Sequence, residues 1–171
     1  MIKMNVLIRQ AIKEDLDQLF EIETNCFPKA ERESKKVIKM RIKYFQQGFL
    51  VAEINNSIVG MINCATTNNA SVNQREFEKI MHSESKDTFS LGKNHFIISL
   101  EVLPEFRGKG ISTLLINKTI ENAKNNNKKK VLLVCKEPLI NYYKKFGFNL
   151  TTNKIKYAGK DWFEMKLVLI P

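Results

Sequence analysis

The stretch FIISLEVLPEFRGKGISTLLINKTIENAKNN, residues 96–126 of this 171-residue chain, contains the features that decide its fold. Its first part, Phe96–Leu103, is rich in β-branched and aromatic residues and stops at Pro104, which is typical of a strand. After a turn with two glycines, apolar residues recur at helical spacing from Gly110 to Asn126. Four residues of that helix are expected to face inward: Leu114, Leu115, Thr119 and Ile120. The stretch therefore predicts a strand, a tight turn and a helix.

The turn itself, FRGKGIS at residues 106–112, has the features of an anion-binding site. Amide hydrogens in the first turn of a helix have no partners within the helix, and the helix dipole favours negative charge there. Gly108 and Gly110 permit close backbone approach, while Arg107 and Lys109 add positive charge. This combination suits a diphosphate better than a single carboxylate. The alternative is an ordinary strand-to-helix turn.

Two familiar phosphate motifs do not fit this turn. A Walker A loop requires Ser or Thr after its Gly-Lys pair, but Gly108 and Lys109 are followed by Gly110. The dinucleotide fingerprint would require a third small residue at Thr113 and an acidic residue about twenty positions later. NAD and FAD are therefore poor candidates for the anion.

Short strands and amphipathic helices are predicted on both sides of this unit. Helices are expected at Glu14–Phe27, Ser34–Gln46 and Leu139–Phe146. Strands are expected at Val6–Ala11, Phe49–Glu53, Ile58–Thr66, Val131–Cys135, Asn149–Ile155 and Trp162–Ile170. The polar segment Thr67–Asn94 is interpreted as a long surface excursion with one short helix near Arg75–Met81, either functional or a tolerated insertion.

Composition excludes several classes of protein. The chain has 28 Lys and Arg against 18 Asp and Glu, a net charge of +10, which would favour polyanionic partners. Because the excess is scattered Lys beside abundant Asn and Ile, compositional bias is the preferred explanation, with a nucleic-acid binder as the alternative. The three cysteines show no metal-ligand spacing, and no apolar stretch is long enough for a membrane span. We expect a single cytoplasmic domain, residues 1–171, with no metal, nucleic-acid or membrane partner.

The turn and its flanking strand resemble the GNAT superfamily of acetyl-CoA-dependent N-acetyltransferases. The pyrophosphate loop of that superfamily follows the pattern Gln/Arg-x-x-Gly-x-Gly/Ala, and Arg107, Gly110 and Ser112 occupy its three defined positions. Ser112 departs from the pattern but is small enough for close backbone approach. The preceding LEVLPEF, residues 100–106, looks like the fourth strand of the superfamily, whose backbone pairs with the pantetheine arm of the cofactor.

The resemblance covers nearly the whole chain. It is closest to the arylalkylamine N-acetyltransferase type, because CKEPLINYYKKFGF at residues 135–148 matches that type's Cys-to-Phe-Gly-Phe segment without a gap. The match places Tyr143 on the general-acid tyrosine. The histidine pair of that type falls on Phe96 and Ile98, which carry no protons, and His95 is offset by one residue and points to the other face of the strand.

The resemblance implies an α+β fold. Its sheet would be mixed and mostly antiparallel, with six to seven strands, a splayed central parallel pair and about four flanking helices. It also implies acetyl-CoA as cofactor, held by Leu100, Val102, Arg107, Gly108, Lys109, Gly110, Ile111, Ser112 and Tyr143. The implied activity is acetyl transfer to a primary amine of a small molecule by direct attack. Protein N-acetylation, or a non-catalytic acyl-CoA-binding or regulatory module, is the alternative.

Acetyl transfer to an amine requires a neutral nucleophile, an oxyanion contact and a proton for the leaving thiolate. Glu101, beside the expected thioester, is the candidate base through water; a solvent-facing or salt-bridged strand carboxylate is the alternative. Tyr143 is the candidate acid, and a backbone amide between Leu100 and Val102 is the candidate oxyanion contact. We expect the acceptor between the first two helices and the polar excursion, near Glu23, Phe27, Glu76 and Glu78.

Overall fold

The structure is a computed structural model that describes residues 4–82 and 91–169 of the chain. These residues form seven strands and five α-helices, which largely match the predicted elements. In chain order they are β1 Leu7–Gln10, α1 Leu16–Cys26, α2 Lys35–Tyr44, β2 Phe49–Ile54, β3 Ser57–Thr67, α3 Gln74–His82, β4 Asn94–Val102, α4 Ile111–Asn125, β5 Lys130–Cys135, α5 Ile140–Lys144, β6 Asn149–Tyr157 and β7 Lys160–Val168.

The strands form one mixed sheet in the order β1-β2-β3-β4-β5-β7-β6. The pairs β1–β2, β2–β3, β5–β7 and β6–β7 are antiparallel, and β4–β5 is parallel. The parallel pairing matches His95–Ile97 of β4 with Val131–Leu133 of β5. The predicted α+β class and the mostly antiparallel sheet with a parallel pair are confirmed. The described residues contain five helices, in keeping with the prediction of about four, and the splaying of the parallel pair stays a prediction.

Two compact units can be distinguished within the chain. The first unit comprises the residues up to Asn63 together with Ser99–Thr119, and the second unit comprises Cys64–Ile98 and the residues from Ile120 onward. Strands β3 and β4 contribute residues to both units. The single-domain organisation of residues 1–171 stays a prediction.

The core of the first unit forms where the apolar faces of α1 and α2 pack on the sheet. Leu19 and Ile22 of α1 and Ile38 of α2 are almost completely buried against β2 and β3 residues such as Val51 and Met61. The helical spacing of these residues explains their shared burial. Ser34 is the N-cap of α2, and its hydroxyl accepts a hydrogen bond from the Val37 amide, 3.2 Å away.

The β2–β3 hairpin is confirmed at its predicted turn. Asn55 and Asn56 have φ of 49° and 64°, the left-handed geometry that a two-residue hairpin turn requires and that Asn tolerates. Ala158 and Gly159, between β6 and β7, also have positive φ, at 50° and 73°. Both turns occur where the sequence alone predicted them.

The prediction that Leu114 of α4 faces inward is wrong. Leu114 is 44% exposed, whereas Leu115 and Thr119 are buried as predicted. The buried stripe also includes Ile111 and Ala123. Because successive helical residues are turned by about 100°, Leu114 points away from the line that joins Ile111, Leu115 and Thr119.

Candidate functional site

The predicted anion-binding turn is an exposed loop, Arg107–Gly110, between a short 3-10 turn at Pro104–Phe106 and the start of α4 at Ile111. Gly108 and Gly110 have φ of 73° and 79°. A Cβ built on either glycine would meet no protein atom within 4 Å. Backbone conformation rather than crowding therefore requires glycine here, and a diphosphate could approach the main chain closely.

The two cations of this loop make local contacts. The Arg107 side chain donates from Nε to the Val102 carbonyl oxygen at 2.9 Å, and the Cys26 thiol donates to the same oxygen at 3.6 Å. The Lys109 ammonium lies 5.1 Å from the centre of the Phe106 ring. Arg107 thus ties the loop to the end of β4, the strand whose backbone is expected to hold pantetheine.

A buried polar network lies in the same unit, centred on Arg41 of α2, which is completely buried. Its guanidinium forms an ion pair with Glu33, in the connection between α1 and α2. Nη1 also donates to Asn63 Oδ1 of β3 at 2.9 Å, and the Asn63 amide donates to Ser99 Oγ of β4 at 2.6 Å. The network therefore joins α2 to the two strands below it.

Two further carboxyl groups adjoin this network. Glu23 of α1 is 0% exposed and accepts a hydrogen bond from the Glu33 amide at 2.7 Å. Glu101 of β4 is 2% exposed and neighbours Ser99 and Glu23. Glu101 is therefore neither the solvent-facing nor the salt-bridged strand carboxylate that the sequence allowed as alternatives.

Burial changes the protonation of both groups. Desolvation, followed by the charge of Glu33, raises the pKa of Glu23 to about 7. Desolvation, followed by the charge of Glu23, raises the pKa of Glu101 well above its usual value. Both shifts favour the protonated, uncharged form of the carboxyl group.

Tyr143 of α5 lies in the second unit and is 7% exposed. Its ring packs edge-on against Phe148 and Tyr142, at centroid distances of 6.0 and 5.3 Å. Burial, together with Cys135, raises the pKa of Tyr143 above its usual value. The phenol therefore keeps its proton at neutral pH, as a proton donor must.

Three other residues that the sequence suggested, His95, Glu76 and Glu78, lie in the second unit. His95 is 1% exposed, and burial together with Lys128 lowers its pKa to about 4, so its imidazole is neutral at pH 7. Glu76 accepts a hydrogen bond from the Thr67 hydroxyl at 2.6 Å, and Glu78 accepts one from the Gln74 amide at 2.8 Å. Both carboxylates therefore already accept a hydrogen bond from a protein side chain.

Sequence reasoning missed Glu33, Arg41, Asn63 and Ser99 as site residues. The available signal was the position of Arg41 on the apolar stripe of α2, three residues after Ile38 and four before Phe45. A guanidinium at a core position requires buried partners.

The described residues contain no group of three or more His, Cys, Asp or Glu side chains arranged to hold a metal ion. Within the same two ranges, no helix combines the length and apolar character that crossing a membrane demands.

The sequence is similar to known N-acetyltransferases. A sequence model described as the acetyltransferase (GNAT) family matches residues 16–148. An uncharacterized N-acetyltransferase of Methanocaldococcus jannaschii, MJ1207, is 30% identical over 92% of this chain, and the chain spans 65% of that relative's length. An N-alpha-acetyltransferase of Sulfolobus acidocaldarius is 29% identical over 95% of this chain and 92% of its own length.

Solved structures agree on the fold. The PaiA N-acetyltransferase of Thermoplasma acidophilum, in complex with coenzyme A, superposes with a TM-score of 0.70. The alignment covers 96% of this chain and 99% of that one, at 18% identity. At this identity the likeness supports the architecture alone.

Proposed function

The chain belongs to the acetyltransferase (GNAT) family, and from this membership we propose that it transfers the acetyl group of acetyl-CoA to the α-amino group of a polypeptide N-terminus. The observation that carries the choice of acceptor is the near full-length similarity to the Sulfolobus acidocaldarius relative named N-alpha-acetyltransferase. This acceptor replaces the small-molecule amine as the first candidate.

Residues of the loop Arg107–Ser112 would hold the diphosphate of acetyl-CoA, which supplies the thioester acetyl group when bound. The positive φ at Gly108 and Gly110, with open space beside both residues, fits close backbone contact with phosphate oxygens. Leu100 and Val102 would contribute backbone groups to the pantetheine arm. Ile111 and Ser112 would add the first helical amides of α4, and Lys109 would add positive charge.

Proton transfer favours an α-amine over an alkylamine. An α-ammonium group has a pKa near 8, so its deprotonation at pH 7 costs about 1 kcal/mol, against about 4 kcal/mol for a lysine-like amine. A base works best when its pKa is near that of the proton donor and the working pH. We assign this role, through water, to Glu101, whose pKa is raised by burial and by the charge of Glu23.

Two further steps complete the proposed reaction. The amine nitrogen attacks the thioester carbon, and a backbone amide between Leu100 and Val102 stabilises the resulting oxyanion. The carbon–sulfur bond then breaks, and the Tyr143 hydroxyl donates a proton to the thiolate, which is consistent with a phenol that stays protonated at neutral pH. The attacking nitrogen loses its second proton to solvent, which leaves the neutral amide, and the Tyr143 phenolate regains a proton from solvent.

A second candidate acceptor is a small aromatic amine. The resemblance of residues 135–148 to the arylalkylamine type supports it, whereas Phe96 and Ile98 at the positions of that type's histidine pair weigh against it.

A matched panel of acceptors tests the proposal. The purified chain is incubated with acetyl-CoA and short peptides whose α-amine is either free or blocked, with a lysine ε-amine in both, and with tryptamine and spermidine. We expect thiol release and a mass increase of one acetyl group only with the free α-amine. Turnover restricted to tryptamine would establish the second candidate, and turnover restricted to spermidine would refute both acceptors. Coenzyme A binding without turnover on any amine would favour the non-catalytic module.

A further inference from the structure

Glu23 and Glu101 form a pair of buried carboxyl groups in the first unit, contributed by α1 and β4. Their exposed fractions are 0% and 2%. The Cys26 thiol, about one turn of α1 after Glu23, donates to the carbonyl oxygen of Val102, the residue after Glu101. Two carboxylates buried close together repel strongly when both are ionised and desolvated. Their common burial therefore requires a neutralising charge or a proton.

Three of the four carboxyl oxygens of the pair lack a hydrogen-bond donor among the described residues. Among the described residues, no donor is placed to bond Glu23 Oε2 or either carboxyl oxygen of Glu101 in good geometry. The other oxygen of Glu23 already accepts from the Glu33 amide. A proton on one carboxyl group would supply the missing donor and remove one of the two charges.

We propose that Glu23 and Glu101 hold one proton between their carboxyl groups, which makes Glu23 a positioning residue for the base assigned to Glu101. The effect of the shared proton on catalysis rests on the function proposed above. The shared proton itself can be measured without any amine substrate.

The groups that surround the pair leave this arrangement intact. The guanidinium of Arg41 is ion-paired with Glu33, which leaves the remaining negative charge of the cluster on the Glu23–Glu101 pair. The Ser99 side chain lowers the pKa of Glu101, and Arg41 lowers the pKa of Glu23, so both stabilise a singly charged pair. The titratable and polar groups that act on the pair come from α1, the α1–α2 connection, α2 and β4: Cys26, Glu33, Arg41 and Ser99.

The singly charged pair then acts as one proton acceptor. When the acceptor ammonium loses its proton through water, an N–H bond breaks, the electron pair stays on nitrogen and an O–H bond forms on the pair. The charge of the pair changes from −1 to zero, and the proton later returns to solvent. Coupled carboxyl groups of this kind titrate with pKa values that belong to the pair.

The kinetic test uses Glu23→Gln, with Glu21→Gln as its matched control. Glu21 is an exposed residue of the same helix, so its replacement tests any general effect of losing a glutamate. The rate is measured from pH 5 to pH 9 with one free-α-amine peptide, whose own titration is common to all variants. We expect the acidic limb of the pH profile, where the base takes up its proton, to move to lower pH by about one unit, a tenfold change in proton concentration, in Glu23→Gln alone. A fall in kcat with an unmoved limb would indicate a merely structural Glu23 and overturn the proposal.

Infrared spectroscopy supplies a readout that needs no turnover. The carboxylic C=O stretch is followed in D2O for the wild type, Glu23→Gln and Glu101→Gln at neutral pH. A shared proton predicts a protonated carboxyl band in the wild type that weakens in both variants but not in Glu21→Gln. If no amine is acetylated while the band behaves in this way, the proposed function fails and the shared proton stands. If acetylation is normal while the wild type lacks the band, the shared proton is refuted and the function stands.

Discussion

Replacing Glu23 by Gln should make the free energy of unfolding less dependent on pH. In the folded protein the pKa of Glu23 is about 7, against a usual value of 4.5 that applies to the unfolded chain. Between these values the folded state keeps a proton that the unfolded state releases, so rising pH favours unfolding. This contribution to stability is fully present below pH 4.5 and is lost as pH rises to about 7.

The size of the effect follows from the two pKa values. Their difference corresponds to about 3 kcal/mol of stability lost by the wild type between pH 4.5 and neutrality. Glutamine has nearly the same shape and keeps an oxygen for the Glu33 amide, which donates to Glu23 at 2.7 Å. The substitution therefore removes the titration while preserving this contact.

Urea denaturation at a series of pH values measures the effect. The difference in unfolding free energy between wild type and Glu23→Gln should change by about 3 kcal/mol from pH 5 to pH 8, with the wild type losing more. Glu21→Gln, on the exposed side of α1, should run parallel to the wild type. Parallel curves for Glu23→Gln as well would refute an elevated pKa at this position.

Three further outcomes are expected. Arg41→Met should lower the unfolding free energy by about 3–5 kcal/mol at pH 7, because Glu33 loses its buried cation. Adding Glu33→Gln to Arg41→Met should recover part of the lost stability. If Arg41→Met alone lowers the unfolding free energy by less than about 1 kcal/mol, the ion pair is not desolvated. Gly110→Asp should abolish coenzyme A binding in calorimetry, because it adds negative charge where φ is 79°; unchanged affinity would remove the loop from the site. Tyr143→Phe should lower kcat at least tenfold while the affinity for acetyl-CoA stays constant, and an unaffected kcat would exclude the phenol as the acid.

The parts of the fold set by local chemistry were predictable from the sequence. The turns at Asn55–Asn56 and Gly108–Gly110 need left-handed backbone, which few residue types adopt readily, so their positions are visible in a single sequence. The strand–turn–helix unit was likewise read from a change of hydrophobic period at Pro104.

The buried carboxyl cluster was only partly predictable. Glu101 was identified by its place on the expected cofactor strand, but its burial depends on packing against α1, which no local pattern records. The partners of Arg41 are 8 and 22 residues away along the chain, and the partner of Asn63 is 36 residues away. Contacts at such separations are set by tertiary structure, and a single sequence does not specify them.

The discontinuous first unit bears on how the chain acquires its structure during synthesis. Arg41 and Asn63 leave the ribosome before Ser99, which accepts the hydrogen bond of the Asn63 amide. Withdrawing the Asn63 amide from water before its partner exists is costly, so burial of this amide becomes favourable only after β4 has emerged. Nascent chains that end before Ser99 should therefore keep the Asn63 amide hydrated, and the buried polar network should be completed late in synthesis.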